Sequence, residues 1–377
     1  MTALTVRTTP KPTPAATGLE APAPVGLDAI FRPRSVAVIG ASRRPGSIGA
    51  AIFKNLLAHG FEGPVYPVNP SARVVQSVLA YPSIGDIPGE VDLAVIAIPA
   101  RQVLGLIEEC GKKGVRGVVV ITAGFKETGP EGAELERALR DATRKYGMRM
   151  VGPNCLGVLN TEKGVCLDAT FAPAWPPPGP VAFSSQSGAL GLAILETAGA
   201  LGLGISQFVS VGNKADVSGN DLLEFWEKDP GTGVILLYLE SFGNPRRFTQ
   251  IARRVARTKP IAAVKSGRTR AGARAASSHT GSLAGADNAV DALCRQSGVI
   301  RTDTIEELFD VAMLLANQPL PKGARVGILT NAGGPAIMAS DACESHGLEL
   351  PLLTDATMAA LRAILPPEAS VKNPVDM

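Results

Sequence analysis

The stretch SVAVIGASRRPGSIG, residues 35–49, decides the fold of this chain. A short apolar run ends at Gly40, a turn containing Gly46 follows, and helical spacing of apolar residues begins near Ser47 and stops at Gly60. A buried strand, a glycine turn and a helix in this order form the first unit of a doubly wound α/β sheet. Glycines let backbone amides approach a phosphate group closely, and the positive end of the helix dipole favours the anion.

The same pattern recurs along the chain. Further buried strands are predicted at 64–69, 91–99 and 115–124, each followed by a helical segment, and this alternation indicates a parallel sheet covered on both faces. After a proline-rich connector at 172–180, a second series of strands is predicted at 181–185, 204–212, 233–241 and 260–267, and a third strand, turn and helix begin at 324–347. The predicted organisation is a disordered leader (1–26), two α/β domains (27–152 and 153–318) and the start of an incomplete third (319–377).

Composition excludes several classes of protein. The net charge is +3 and aromatic residues make up 5% of the chain, which does not fit a nucleic-acid-binding surface. No run approaches the roughly 18 apolar residues of a membrane span, and the leader lacks the apolar stretch of a signal peptide. The five cysteines form no CxxC pair, so we expect a reduced, cytoplasmic protein without a metal site.

The first glycine turn does not match a nicotinamide dinucleotide site. Its spacing departs from GxGxxG, and the second strand ends in Asn69 instead of the acidic residue that would bind a ribose. Both departures favour another phosphate-bearing ligand, while a turn that binds nothing is the alternative.

A second glycine turn lies in FSSQSGALG, residues 183–191. Ser185, Gln186, Ser187 and Gly188 follow a strand and open a helix, which predicts a neutral, donor-rich site for phosphate. A serine that only caps the helix would give a similar sequence.

Glu240 and His279 are the candidate catalytic pair. Glu240 closes the strand GVILLYLE, and the carboxyl ends of parallel strands are where α/β proteins bind ligands. His279 stands among small residues in AASSHTGSLAGAD and, taken alone, would be interpreted as a surface histidine. If Glu240 accepts one ring N–H, the other nitrogen becomes a nucleophile. For Cys155, buried packing is favoured over a nucleophilic role, and His59 and His346 are interpreted as structural residues at helix ends.

Taken together, SVAVIGASRRPGSIG, VGPNCLG, FSSQSGALG, VGNKADV, LYLESF and SSHTGSLAGAD resemble, in this order, the nucleoside-diphosphate-forming acyl-CoA synthetases. The closest likeness is to the α subunit or α-like half of ADP-forming acetyl-CoA synthetase, a relative of the succinyl-CoA ligase α subunit. The resemblance implies a Rossmann-like CoA-binding domain followed by flavodoxin-like, succinyl-CoA-ligase-like parallel-sheet domains.

The resemblance also implies roles for single residues. His279 would carry the phosphoryl group and Glu240 would support it, while phosphate and acyl groups would bind at 185–188, Asn154 and Asn213. The residues that would hold coenzyme A are Gly40, Ala41, Ser42, Gly46, Ser47, Gly49, Asn69, Pro99 and Ala123.

The implied reaction interconverts acyl-CoA, phosphate and ADP with a carboxylic acid, CoA and ATP, through an acyl phosphate and a phosphohistidine. The nucleotide site of that family, with ADP or ATP and Mg²⁺, lies on an ATP-grasp module that these residues do not contain. We therefore expect an ATP-grasp subunit or fused domain as partner, and the ending NPVDM favours truncation or fusion. An oligomer is also expected. The alternatives are a regulatory CoA-binding platform of a protein lysine acetyltransferase fusion and, third, an NAD-dependent dehydrogenase.

Overall fold

The protein is described by a computed structural model that covers residues 26–269 and 287–377. Most of the predicted leader, residues 1–25, and His279 lie outside the described residues. The chain divides into two compact units, Met1–Asn317 and Gln318–Met377. Within the part that the structure describes, none of the helices has the length and apolar character needed to cross a bilayer.

The first sheet confirms the strands predicted in the first α/β series. It consists of parallel strands in the order β2-β1-β5-β6-β7, of which β7 was not predicted. Both faces of the sheet are covered: Val36 and Val38 of β1 pack into one apolar cluster, and Ala37 and Ile39 pack into another. The strands are β1 (Val36–Ile39), β2 (Val65–Val68), β5 (Leu93–Ile96), β6 (Gly117–Val120) and β7 (Arg149–Val151), with a small hairpin of β3 (Val74–Val75) and β4 (Val78–Leu79).

Helices surround this sheet and begin at the sequence signals expected of them. We call the first sheet with its helices the first half of the first unit, and the second sheet with its helices the second half. The helix after the first glycine turn has Ser47 as its N-cap, and Pro130 opens the last helix of this half. The helices are α1 (Asp28–Phe31), α2 (Ile48–Ala58), α3 (Ala100–Lys113) and α4 (Pro130–Lys145).

The second sheet contains the four predicted strands and three that were not predicted, a short parallel strand at one edge and two antiparallel strands at the other. Its order is β14-β13-β12-β10-β11-β8-β9, in which β8 and β9 run antiparallel to their neighbours. The stretch predicted as a connector in fact contains the start of β10, with irregular pairing between Pro178 and Val181. The strands are β8 (Gly157–Asn160), β9 (Leu167–Thr170), β10 (Pro178–Ser185), β11 (Ile205–Ser210), β12 (Val234–Leu239), β13 (Ile261–Lys265) and β14 (Ile300–Thr302).

The helices of this half alternate with its parallel strands, as the sequence predicts. Ser187 and Asn244 cap two of them through side-chain oxygens that accept backbone N–H groups. The described helices are α5 (Gly188–Leu201), α6 (Gly219–Lys228), α7 (Pro245–Val255), α8 (Asp287–Ser297) and α9 (Ile305–Asn317).

Polar contacts join the two sheets into one unit. The Asn160 side chain on β8 donates to the Phe31 carbonyl at 2.8 Å, and Asn55 of α2 donates to the Thr170 carbonyl at 3.0 Å. Arg32 reaches the buried carboxylate of Asp229 at 2.5 Å. The short edge strands therefore serve as the surface on which the first half packs.

The second unit begins with the strand, turn and helix predicted at 324–347. It contains β15 (Leu329–Thr330), α10 (Gly333–Ser345), α11 (Asp355–Arg362) and β16 (Val375–Asp376). Strand β15 pairs in parallel with β16, and the Met377 amide donates to the Thr330 carbonyl at 3.0 Å.

Candidate functional site

A cavity of about 1090 Å³ lies in the first unit, where the carboxyl ends of strands from both sheets meet. The first sheet contributes the segments that follow β5 and β6, and the second contributes those that follow β10, β11 and β12. Ligands of open α/β sheets bind at this end of the strands, and here two such ends share one cavity.

Eight of the seventeen predicted site residues line this cavity. The lining residues are Pro99, Ala123, Asn154, Gln186, Ser187, Gly188, Asn213 and Glu240. The cavity lining does not include Gly40, Ala41, Ser42, Gly46, Ser47, Gly49, Asn69 or Ser185. His279 lies outside the described residues.

The first glycine turn is shaped by two close backbone approaches. Gly40 has a φ of +92°, and a Cβ there would lie 2.3 Å from the Ala97 carbonyl oxygen. A Cβ at Gly49 would lie 2.0 Å from the Gly40 carbonyl oxygen. The start of α2 is therefore packed directly on the turn, and Ile48 from this first helical turn lines the cavity.

Asn69 organises the same turn. Its Nδ2 donates to the Ala41 carbonyl at 2.7 Å, and its Oδ1 accepts from the amides of Ser71 and Ala72 at 2.8 and 2.9 Å. Through these hydrogen bonds Asn69 stabilises the backbone of the turn.

The second glycine turn places the N-terminus of α5 at the cavity. Ser187 is the N-cap, and its Oγ accepts from the Leu190 amide at 3.3 Å, so this serine caps α5; its role in phosphate binding stays a prediction. Ser185 is buried and its Oγ donates to the Ser187 carbonyl at 2.7 Å, which stabilises the turn. The first amides of a helix have no acceptor within the helix, so those at the start of α5 suit an anion in the cavity.

Gln186 connects this turn to the end of β12. Its Oε1 accepts from the amides of Glu240 and Ser241, both at 2.9 Å, and its Nε2 donates to the Ser241 carbonyl at 2.8 Å. One side chain thus holds the backbone that carries the candidate catalytic carboxylate.

Lys214 is a residue of this site that the sequence analysis missed. It lines the cavity, and its Nζ donates to Ser241 Oγ at 2.7 Å and to Gln186 Oε1 at 3.1 Å. Burial lowers the pKa of Lys214 to about 8; the charge of Lys126 contributes to the decrease and that of Glu240 opposes it. The only signal in the sequence was its place in VGNKADV, directly after a buried strand.

Asn213 is held by acidic residues that were also missed. Its Nδ2 donates to Glu127 Oε2 at 2.5 Å and to Glu136 Oε2 at 2.7 Å, and Asn154 Nδ2 reaches its Oδ1 at 3.4 Å. Lys126 donates to the Asn213 carbonyl and lies 3.5 Å from Glu136. Burial opposes ionisation of Glu127, yet hydrogen bonds from Asn213 and backbone amides keep its pKa below the usual value. The network spans the two sheets at the cavity wall.

Cys155 and His59 have structural surroundings. Cys155 is buried, its Sγ donates to the Val120 carbonyl at 3.3 Å, and burial raises its pKa to about 12. His59 stacks on Trp175 with ring centroids 4.6 Å apart, and burial lowers its pKa. These surroundings support the structural interpretation of His59, and burial disfavours its protonated form.

Metal coordination is not indicated within residues 26–269 and 287–377. No group of three or more His, Cys, Asp or Glu side chains there is arranged to hold a metal ion.

Comparisons with known proteins identify both halves of the first unit. Residues 34–161 match the family described as a CoA binding domain, and residues 178–315 match the succinyl-CoA ligase like flavodoxin domain. These matches confirm the predicted fold class, with the antiparallel edge as an addition.

Similar proteins of known name cover nearly the whole chain. The subunit alpha of acetate–CoA ligase [ADP-forming] I from Pyrococcus furiosus is 48% identical over 94% of this chain and 77% of the subunit. Acetate–CoA ligase [ADP-forming] I from Archaeoglobus fulgidus is 48% identical over 93% of this chain, which spans 50% of that relative.

A solved structure agrees with these relatives. Dinucleotide-forming acetyl-coenzyme A synthetase 1 from Ca. Korarchaeum cryptofilum, in complex with phosphate and ADP, superposes with a TM-score of 0.87 at 44% identity, covering 93% of this chain and 75% of that one. Two sheets that meet at one cavity, the two domain matches and these identities together place the chain in the family of the ADP-forming acetate–CoA ligases, whose alpha subunits it resembles over nearly its full length.

Proposed function

We propose that this chain is the α-like module of an ADP-forming acyl-CoA synthetase. It would interconvert acyl-CoA, phosphate and ADP with a carboxylic acid, CoA and ATP. The observation that carries the proposal is the shared cavity. The strand ends of the CoA-binding half line it together with Glu240 and the N-terminus of α5, which suits a phosphate group.

The first half offers features that suit coenzyme A. In the turn from Gly40 to Gly49, neither of these two glycines has room for a side chain. Backbone amides of the turn can therefore come near a phosphate. Pro99 and Ala123 at the strand ends give the cavity a wall of small residues along which the thiol end could lie. Ser42, Gly46 and Ser47 would contact the phosphates, while Ala41 and Asn69 would maintain the turn.

The chemistry then follows from the groups at the second half. A phosphate oxygen attacks the thioester carbon, the C–S bond breaks, and CoA leaves as the thiolate while acyl phosphate forms. The imidazole of His279 attacks the phosphorus, the carboxylate leaves, and ADP later takes the phosphoryl group as ATP. Helix amides near Ser187 and Gly188 would stabilise the phosphoryl oxygens, and Glu240 would orient the imidazole.

The remaining parts of the reaction require a partner. We propose that an ATP-grasp subunit or fused domain binds ADP or ATP with Mg²⁺, and that the working enzyme is an oligomer. The five free cysteines suit a cytoplasmic location. The functional domains would be 27–152 for CoA and 153–318 for the phosphohistidine, and the third domain would begin at 319.

The relatives favour this proposal over the alternatives. The three relatives reported above carry the name of a ligase or synthetase, which argues against a regulatory platform. The match to a CoA binding domain argues against a nicotinamide-dependent dehydrogenase.

Phosphorylation of His279 is the direct test. We expect incubation of the protein with acetyl-CoA and labelled phosphate to give protein-bound label that is labile in acid and stable in alkali. The label should be lost in His279→Ala and kept in His346→Ala, a matched control at an exposed helix end. Label that persists in His279→Ala, or no label in the wild type, would refute the assignment.

A further inference from the structure

The position of Lys214 is unusual for a lysine. It has a φ of +58°, in the left-handed region that lysine rarely adopts, and its side chain is half-buried at the cavity. A strained backbone conformation persists only where the surrounding structure determines it. Here the amide of Lys214 donates to the Val211 carbonyl at 3.0 Å, and the side chain is anchored at its far end.

The anchors of Lys214 are neutral. Its Nζ donates to Ser241 Oγ, to the Gln186 side-chain oxygen and, at 3.4 Å, to the Ser241 carbonyl. These neutral oxygens orient the ammonium group, and the Glu240 carboxylate in the same cavity acts on it through its charge. A partly buried charge held in this way interacts strongly with an ion of opposite sign that enters the same space.

The cavity also presents the start of α5 beside this ammonium. Gln186 contacts Lys214 directly, and Ser187 and Gly188 follow it in the chain and line the same cavity. An anion at the helix start would therefore meet backbone amides on one side and a fixed cation on the other.

We propose that Lys214 is a phosphate-binding residue, whose ammonium neutralises the tetrahedral oxyanion held at the N-terminus of α5. The proposal deepens the proposed function, on which it rests for the identity of the anion. Lys214 would act on inorganic phosphate and on the phosphoryl group of the acyl phosphate, and no bond to the lysine forms or breaks.

The proposal has a definite pH dependence. The charged groups that act on Lys214 are Lys126 and Lys265, which favour its neutral form, and Glu240, which favours the ammonium. Because burial holds the pKa of Lys214 near 8, its side chain loses the proton as the pH rises through about 8 when no anion is bound. Affinity for an anion of constant charge should therefore be level below pH 8 and fall about tenfold per pH unit well above it.

The test measures anion binding to the whole chain by calorimetry. Inorganic phosphate is the first probe, and sulfate is the second because its charge does not change between pH 7 and 9.5. Lys214→Met should weaken both about 10- to 100-fold, as expected for loss of a charge-assisted hydrogen bond. Lys214→Arg keeps the charge and should restore part of the affinity, and Lys112→Met, an exposed lysine at the end of α3, should bind as the wild type does.

The pH profile separates binding from a structural role. Wild-type affinity for sulfate should decline above pH 8, whereas Lys214→Met should be weak and level and Lys214→Arg should not decline. Unaltered sulfate and phosphate affinity in a folded Lys214→Met variant would overturn the inference, as would a wild type that binds neither anion. Failure of the proposed function is distinguishable, because the wild type would then bind anions through Lys214 and yet acquire no label on His279.

Discussion

Replacement of Gln186 should disrupt the site and destabilise the first unit. The side chain accepts the amides of Glu240 and Ser241 and donates to the Ser241 carbonyl, so it replaces the strand partner that these backbone groups lack beyond β12. Gln186→Leu has a similar volume but no polar atoms. It leaves the amides of Glu240 and Ser241 without their acceptor, and the Ser241 carbonyl keeps only the 3.4 Å contact from Lys214.

The magnitude can be worked from these contacts. A buried donor that loses its partner costs about 1–3 kcal/mol, and the contact with Lys214 adds a charge-assisted bond. The cavity admits water, which can solvate part of the released backbone. We therefore expect a loss of about 2–4 kcal/mol in the free energy of unfolding of the first unit.

Urea unfolding followed by tryptophan fluorescence is the appropriate assay. Trp175 and Trp226, the two tryptophans of the chain, both belong to the second half. Gln186→Glu is the matched control, because it keeps an acceptor for both amides and adds a charge beside Lys214; we expect it to lose about 1 kcal/mol or less. The reasoning is refuted if Gln186→Leu unfolds at the wild-type urea midpoint, or if the two variants are equally destabilised.

Three further predictions concern other parts of the structure. Gly49→Ala places a Cβ against the Gly40 carbonyl oxygen, so it should weaken coenzyme A binding in calorimetry at least tenfold; unchanged binding would contradict the packing of this turn. Burial raises the pKa of Asp168 to about 7, so wild-type stability should fall as the pH rises from about 4 to 7. Asp168→Asn should remove this dependence. In urea unfolding at pH 8 the variant should be more stable than the wild type by up to about 4 kcal/mol, and a stability difference between the two proteins that is the same at every pH would contradict the prediction. Burial also raises the pKa of Cys155 to about 12, so a thiol reagent at pH 8 should modify the half-buried Cys343 well before Cys155; equal rates would be inconsistent with the structure.

The sequence predicts the parallel strands well because burial on both faces leaves a clear pattern. Strand β5 lies in VDLAVIAIP and β6 in VRGVVVITAG, apolar runs that only a covered sheet explains. Strand β9 carries Asp168 and Thr170, which are fully buried although polar, so its sequence resembles a loop. Its place at the edge is fixed by packing on α2, a contact across the chain that no local pattern contains.

The sequence predicts the position of a site residue where the residue lies at the start of a helix or at the end of a strand. A helix start such as Ser187 and a strand end such as Glu240 have known positions relative to a parallel sheet. Lys214 stands in a loop and Glu127 in a short 3-10 helix (Lys126–Thr128), where the sequence alone suggests solvated charges. Lys214 contacts Ser241 from a different connection of the second sheet, and Glu127 contacts Asn213 only because the two sheets meet.

The joint between the two halves also determines what the cavity can do. Asn55 on α2 donates to the carbonyls of Thr170 and Ala172, so the helix whose first turn reaches the cavity is bonded to the edge of the second sheet. Arg32 joins the same two halves through Asp229. These bonds connect α2, the helix that follows the first glycine turn, to the second sheet, so we expect the turn and the start of α5 to move together. The phosphoryl transfer proposed above would therefore not involve hinging at this joint.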